Sequence, residues 1–241
     1  MRMRYSWVMG GLVVLSILGF LPTQAGALPI PFYADTTQAL PGLDYGGIMD
    51  YSGGTLTIFL TNLSDIGDPR LTGFAFLNPD PEIIDGLNTF SADLSDGVGG
   101  WNSLTGWSGE YDLGDIHSPD DYGSFDVAAL TGGTLGGGDP NDGLAIGDPL
   151  ARFTFVFDIV APDTLTTASF VDVLAPYFFV ARFQSVGGYV EDGEWTDDDL
   201  SDVVPASTTS GGGNGVIPEP MTVTLLGLGL AGFAATRLRR R

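Results

Sequence analysis

The chain contains no cysteine, no lysine and a single histidine among its 241 residues. The absence of cysteine excludes disulfides, thiol nucleophiles and cysteine-ligated zinc sites. Cationic side chains are also scarce, because nine arginines stand against 30 aspartates and glutamates and leave a formal net charge of −21. Since binding to phosphates depends on lysine and arginine, this balance excludes a nucleic acid as a partner.

Most of the arginines lie at the two ends of the chain, where they flank apolar runs. At the N-terminus, Arg2 and Arg4 precede an apolar run over 7–21 and an Ala-Gly-Ala sequence that ends at Ala27. A basic start, an apolar stretch and a small-residue cleavage site are typical of a secretory signal peptide. We therefore predict a signal peptide over 1–27 and export of the chain; a retained N-terminal anchor is the alternative.

The C-terminal segment 216–241 has three parts in a fixed order. An uncharged apolar run of 16 residues over 221–236 would span roughly 24 Å as a helix, less than the roughly 30 Å hydrocarbon core of a bilayer. The part before the run is Pro218, Glu219 and Pro220, and the part after it contains Arg237, Arg239, Arg240 and Arg241. Because basic residues stay on the cytoplasmic side, we predict a short transmembrane helix with the rest of the chain outside the cytoplasm.

This three-part tail resembles the PEP-CTERM sorting signal of bacteria, which combines a Pro-Glu-Pro motif, a short transmembrane helix and a terminal arginine cluster. The resemblance implies a partner, exosortase, a membrane transpeptidase-like enzyme that cuts near the motif. It also implies a producer of extracellular polysaccharide. On this reading Pro218, Glu219, Pro220 and the terminal arginines are recognised by another enzyme and are not catalytic. The alternative is a plain C-terminal anchor that is never cut.

The acidic body between the two signals predicts an all-β fold. Segment 55–61 alternates threonine with apolar residues, and in 150–159 three phenylalanines recur at every second position, which is the period of a strand. Further strands are predicted at 30–33 (as an edge strand), 71–77, 89–92, 110–113, 124–130, 165–173 and 177–186. Short strands separated by Gly, Asp and Pro indicate an antiparallel β-sandwich, jelly-roll-like, over 28–204. A Ser/Thr/Gly linker over 205–215 would hold this domain off the membrane.

A glycine-rich loop over 131–149 supplies the candidate metal ligands. Calcium takes six to eight oxygen ligands, and Asp, Asn and backbone carbonyls provide them. The candidates in the loop are Asp139, Asn141, Asp142 and Asp148, and a second acidic cluster is Asp197, Asp198, Asp199 and Asp202. Neither cluster has the spacing of an EF-hand. We hypothesise a structural calcium site in one of them and predict no other cofactor.

No catalytic arrangement stands out in the sequence. His117 is the single histidine, and no neighbouring serine lies in a nucleophile-elbow motif, so we interpret it as an exposed loop residue. Carboxylate pairs that could hydrolyse glycosides exist, but nothing selects one pair. A sugar-stacking face is a further hypothesis, with core packing as its alternative; its residues would be Trp101, Trp107, Tyr111 and Tyr122.

Taken together, these signals predict an exported, non-enzymatic protein of the cell surface or the exopolysaccharide matrix. It would be held in the membrane by its tail before exosortase acts on it, and extracellular polysaccharide is a further expected partner. A carbohydrate- or calcium-dependent adhesion module is the alternative function. A secreted hydrolase is the third hypothesis.

Overall fold

The computed structural model describes residues 28–38, 40–65, 67–172, 177–186, 189–191, 194–196 and 200–208. Within these residues the chain forms thirteen strands and one short helix, so the predicted all-β class is confirmed. The strands are β1 (Ile30–Ala34), β2 (Tyr45–Ser52), β3 (Thr55–Asn62), β4 (Arg70–Phe76), β5 (Ile84–Ser95), β6 (Trp101–Ser103), β7 (Ser108–His117), β8 (Ser124–Leu130), β9 (Ala151–Ile159), β10 (Phe179–Val186), β11 (Tyr189–Glu191), β12 (Glu194–Thr196) and β13 (Leu200–Ser207), and the helix is α1 (Thr167–Val171).

Eleven of these strands form one antiparallel sheet, and β11 pairs separately with β12. The sheet order is β6-β5-β9-β3-β2-β1-β13-β10-β4-β8-β7. We call the strands from β6 to β1 the first half and those from β13 to β7 the second half; the pairing of β1 with β13 joins them. The sheet curls until its two ends meet, where the hydroxyl of Tyr111 in β7 donates to the carbonyl of Ile84 in β5 at 2.8 Å.

The main core fills the space between the two halves. Alternation places Leu56, Ile58 and Leu60 of β3 inside with no exposed surface, while Thr57 and Phe59 between them face outward. The facing halves meet through aromatic rings. Phe74 of β4 contacts Phe153 of β9 edge to face, with the ring centroids 4.8 Å apart. Aromatic contacts of this kind stabilise a packed core beyond the area that they bury.

A second, smaller apolar cluster lies on the outer face of the second half. Small strand residues lie beside Phe125 and Leu130 of β8 in it, and Ala75, Ala128 and Val180 have no exposed surface. Part of the cover is the loop that follows β8, which contributes the buried side chain of Leu135. Glycine lets this loop approach closely, since a Cβ at Gly138 would lie 2.6 Å from the Cβ of Thr72 in β4. Strands β4, β8 and β10 of the second half are therefore covered on both faces where this cluster lies.

Most predicted strands are confirmed, and the exceptions have physical causes. The strand at 30–33 exists as β1, but its predicted edge position is wrong, because β1 lies between β2 and β13. The strand predicted at 165–173 is also wrong, since the segment contains a turn and α1. There the amide of Thr166 donates to the Ser169 hydroxyl at 3.1 Å, and Phe170 is fully buried against Tyr51. Local capping and one buried ring favour a helical turn at this place.

Strands β2, β6, β11, β12 and β13 were not predicted, and β13 moves a domain boundary. Pro205 and Ala206 pair with β10 and β1, so residues 205–207 of the predicted linker belong to the sheet. The predicted signal peptide over 1–27 and the transmembrane helix over 221–236 lie outside the described residues. In the described part of the chain, no helix is both long and apolar enough to cross a bilayer.

Candidate functional site

The sorting motif at Pro218, Glu219 and Pro220 and the terminal arginines lie outside the described residues, so their role stays a prediction. The functional groups that the structure does describe fall into three places. They are the loop after β8, a groove along β7 and the outer face of the first half.

The loop after β8 uses its predicted calcium ligands to close local turns. Asp139 Oδ1 accepts hydrogen bonds from the backbone and side-chain nitrogens of Asn141 at 2.9 and 3.0 Å. Asp148 Oδ2 accepts the amide of Ala145 at 2.6 Å. The backbone carbonyl of Asp142 accepts the indole N–H of Trp107 at 2.9 Å. Such turns are the usual use of Asp and Asn in loops.

These carboxylates do not converge on one point. Among the described residues, no group of three or more His, Cys, Asp or Glu side chains is placed to hold a metal ion. A cavity of about 260 Å³ beside Asn141 is lined by Asp68 and by Arg70, whose Nη2 lies 3.3 Å from Asp68 Oδ2. The positive charge of the Arg70 guanidinium in the lining disfavours a cation in this cavity. The calcium hypothesis stays a prediction for this loop.

The second acidic cluster is only partly described. Asp197, Asp198 and Asp199 lie outside the described residues, whereas Asp202 is part of β13. Its two carboxylate oxygens accept the amides of Leu40 at 2.7 Å and of Val203 at 2.8 Å. Burial raises the pKa of Asp202 despite these two hydrogen bonds. The described member of this cluster therefore ties the loop before β2 to the second half of the sheet.

A groove of about 330 Å³ runs along β7 and contains the single histidine. Three carboxylates line it, from Glu110, Asp112 and Asp115, and burial raises the pKa of Glu110, with the charge of Asp112 adding to the effect. His117 is exposed as expected but ends strand β7 instead of lying in a loop, and its Nδ1 is 2.8 Å from the Ser124 hydroxyl. Among the described residues no carboxylate hydrogen-bonds to this histidine. The pair therefore lacks the third group that orients a catalytic base.

The four aromatic residues of the predicted sugar-stacking face do not share a face, so that prediction is wrong. Trp107 packs inside against Phe153, with the ring centroids 4.8 Å apart. The hydroxyl of Tyr111 closes the curl of the sheet, and that of Tyr122 donates to the carbonyl of Gln38 at 2.8 Å. Trp101 alone lies at the outer face of the first half, beside Arg152.

The environment of Trp101 is a feature that the sequence analysis missed. Arg152 Cζ lies 4.3 Å from the centroid of the indole, and Arg152 Nη2 is 2.7 Å from Asp93 Oδ2. This pairing depends on the register of β5 with β9, in which Asp93 faces Arg152 directly. One signal was available: Arg152 is a lone cation at an outward position of a strand whose alternate residues are phenylalanines.

Comparison of the chain with protein-family models, with curated proteins and with solved structures gave no match.

Proposed function

We propose that the protein is an exported, non-enzymatic protein of the cell surface or the exopolysaccharide matrix, which exosortase sorts and cuts through the tail. The observation that carries the proposal is the presence of an export signal over 1–27 and the three-part tail over 216–241 in one chain. The first would send the chain across the membrane and the second would stop it there.

The chemistry of the tail suggests how it is recognised. Proline is tolerated in the first turn of a helix and favours an extended approach before it, so Pro218 and Pro220 would present the motif to a partner enzyme as an open strand at the membrane surface. Glu219 would then lie beside a helix N-terminus, where negative charge is favoured. The terminal arginines resist passage through the bilayer and would hold the intermediate in place until it is cut.

The described body is consistent with a carried domain that has no catalysis of its own. It is an antiparallel β structure whose halves face each other, which supports a jelly-roll-like sandwich as its finer description. Segment 28–217 holds 29 of the 30 acidic residues, and such a charge favours solubility outside the cell. Within the described residues, the Ser124–His117 pair has no carboxylate hydrogen-bonded to the histidine.

A deletion in the producing cells tests the proposal. Removing Pro218, Glu219 and Pro220 should leave an uncut precursor in the membrane fraction, detected by its larger mass on a blot against the body. A matched control removes Gly211, Gly212 and Gly213, which shortens the chain equally and keeps the motif. Deleting the host's exosortase should give the same precursor. Unchanged processing after the Pro-Glu-Pro deletion would contradict the proposal.

The alternative function, an adhesion module, has two forms. A calcium-dependent form would require one of the two acidic clusters to gather its carboxylates around the ion, and a melting temperature that does not move at millimolar calcium would rule it out. A carbohydrate-dependent form has one specific observation in its favour, the outward aromatic and charged cluster at Trp101.

A further inference from the structure

The outer face of the first half carries a compact group of side chains built by the register of three central strands. Across β5, β9 and β3, one row reads Asp93–Arg152–Phe59 and the next reads Ser91–Thr154–Thr57. Adjacent strands are about 4.8 Å apart and outward residues recur about every 7 Å, so these six side chains form a small grid. Trp101 of the edge strand β6 borders it. We call these seven residues the hydroxyl face.

The charged part of the hydroxyl face is held in a fixed position. Arg152 donates from Nε and Nη2 to Asp93 Oδ2 at 3.3 and 2.7 Å. Its guanidinium stacks on Trp101, whose ring also contacts Phe59 with the centroids 6.0 Å apart. The Arg152 side chain is still 32% exposed, and among the described residues its Nη1 has no hydrogen-bond partner. The arginine is therefore a positioned donor that still faces solvent.

The hydroxyl face differs in charge from the rest of the body. Its one carboxylate is neutralised by its one guanidinium, and its next row carries hydroxyl groups up to its border with β2, where Asp50 lies opposite Thr57. By contrast, the described lining of the groove along β7 presents Glu110, Asp112 and Asp115 and includes no arginine. In a chain with a net charge of −21, a neutral area with aromatic and hydroxyl groups is a local exception.

This chemistry selects one class of occupant. An extended peptide cannot add to these strands, because β9 is already paired on both edges by β5 and β3. A second copy of the chain would bring two strongly negative bodies together, and an anionic polymer would meet the same repulsion. An uncharged carbohydrate is not repelled, can place the C–H face of a sugar ring on an aromatic ring, and can exchange hydrogen bonds with the hydroxyls, Arg152 and Asp93.

We infer that the hydroxyl face binds an uncharged polysaccharide, with Trp101 and Phe59 as the apolar contacts and Arg152, Asp93, Thr57 and Thr154 as the polar ones. The inference deepens the proposed function by naming a ligand class for the exported domain. The inference rests on the proposed function only in assuming that export brings the domain into contact with extracellular polysaccharide.

Affinity electrophoresis of the purified full-length chain, in a detergent without a sugar headgroup, tests the inference. Neutral glucans and galactomannans in the gel should retard the chain, and alginate, an anionic polysaccharide, should not. Trp101→Ala should weaken the retardation about tenfold, the usual consequence of losing a central aromatic contact. Failure of every neutral polymer, or stronger retardation by alginate, would overturn the inference.

A second pair of variants separates binding from folding. Ser91→Glu places a longer side chain on the hydroxyl face, where it fills the space beside Thr154 and competes for Arg152, and it should weaken retardation; Ser201→Glu makes the same change at an exposed position of β13 and should not. Both variants should melt at the wild-type temperature. Equal effects of the two substitutions on retardation would refute the site. A dimer of the wild-type chain in sedimentation that Ser91→Glu dissociates would also refute it, because the face would then bind a second copy. Processing of the precursor is measured separately in cells, so this inference and the proposed function can fail independently.

Discussion

The two halves of the sheet share one core but differ on their outer faces. On the second half, an apolar patch that includes Ala75, Ala128 and Val180 is fully buried. On the first half, the outward residues are mostly polar, with threonines, serines, carboxylates and a paired arginine, and Ser91 is exposed. The difference shows where the chain uses its surface for stability and where it leaves side chains open to a ligand.

The covered face also explains the composition of the loop after β8. A loop that lies flat on a sheet needs residues without side chains at its contacts, and Gly138 and Gly143 both sit against Thr72. The glycine and aspartate content of 131–149, which suggested calcium, therefore has a structural explanation in packing and in turns that the carboxylates close. The hydroxyl face has no corresponding cover from the described loops, and its outward side chains remain partly or fully accessible.

The largest expected effect contrasts one buried and one open outward position. Val180→Asp places a carboxylate in the covered outer face, where Val180 has no exposed surface, and should cost at least about 3 kcal/mol of unfolding free energy. The matched change Ser91→Asp, at an exposed position of the hydroxyl face, should cost less than about 1 kcal/mol. Urea unfolding followed by tryptophan fluorescence measures both. Similar losses would mean that the two outer faces are equally covered.

A smaller effect is expected where the loop touches the sheet. Gly138→Ala would push a methyl group into Thr72 and Gln184 Oε1, at 2.6 and 2.7 Å, and overpacking of this kind costs about 1–3 kcal/mol. Gly133 lies in the same loop with no atom within 4 Å of a Cβ, so Gly133→Ala is the control and should be neutral or slightly stabilising. Thermal unfolding compares them. A neutral Gly138→Ala would show that the loop does not press on β4.

On the open face, the ion pair should contribute a modest amount. Asp93→Ala removes the ion-pair partner of Arg152. Because the Asp93 side chain is 16% exposed and that of Arg152 is 32% exposed, the loss should be about 1 kcal/mol of unfolding free energy. Asp68→Ala removes the corresponding partner of Arg70, but Asp68 is 71% exposed, so the loss should be close to zero. Urea unfolding at low and high salt distinguishes them. A larger loss for Asp68→Ala than for Asp93→Ala would contradict the burial of the first pair.

The parts of the fold that the sequence predicted well are those with one covered face. Strand β3 alternates threonine with leucine and isoleucine because only its inner face is covered, and β9 repeats the pattern with phenylalanine. Strand β13 is buried on both faces from Val203 to Ala206, so it shows no alternation, and its proline resembled the start of a linker. A strand that is buried on both faces has no alternation of polar and apolar residues from which it could be predicted.

The candidate sites divide in a similar way. A sorting motif is contiguous, so a resemblance can be recognised from sequence even though no structural observation bears on it. The hydroxyl face joins Asp93 to Arg152, residues 59 positions apart, and that pairing follows only from strand register. The four aromatic residues misled for the same reason, because their spacing did not reveal which of them faced the core.

The smallest expected effect is a dependence of stability on pH that comes from half-buried carboxylates. Burial raises the pKa of Asp202 in the second half and of Asp44 in the turn before β2. A carboxyl whose pKa is raised on folding binds more protons in the folded state, so stability should increase as the pH falls from 7 toward the ordinary aspartate range near 4. The melting temperature at constant ionic strength should therefore rise slightly over this interval. Asp202→Asn should flatten the rise.

Asp121→Asn supplies the matched control for that variant, because it removes one charge from an exposed position. It should keep the pH dependence of the wild type and differ only by a small uniform shift from reduced repulsion in a strongly negative body. If both variants flatten the dependence equally, the effect comes from net charge and not from the burial of Asp202. If neither does, the hydrogen bonds from Leu40 and Val203 stabilise the carboxylate more strongly than burial disfavours it.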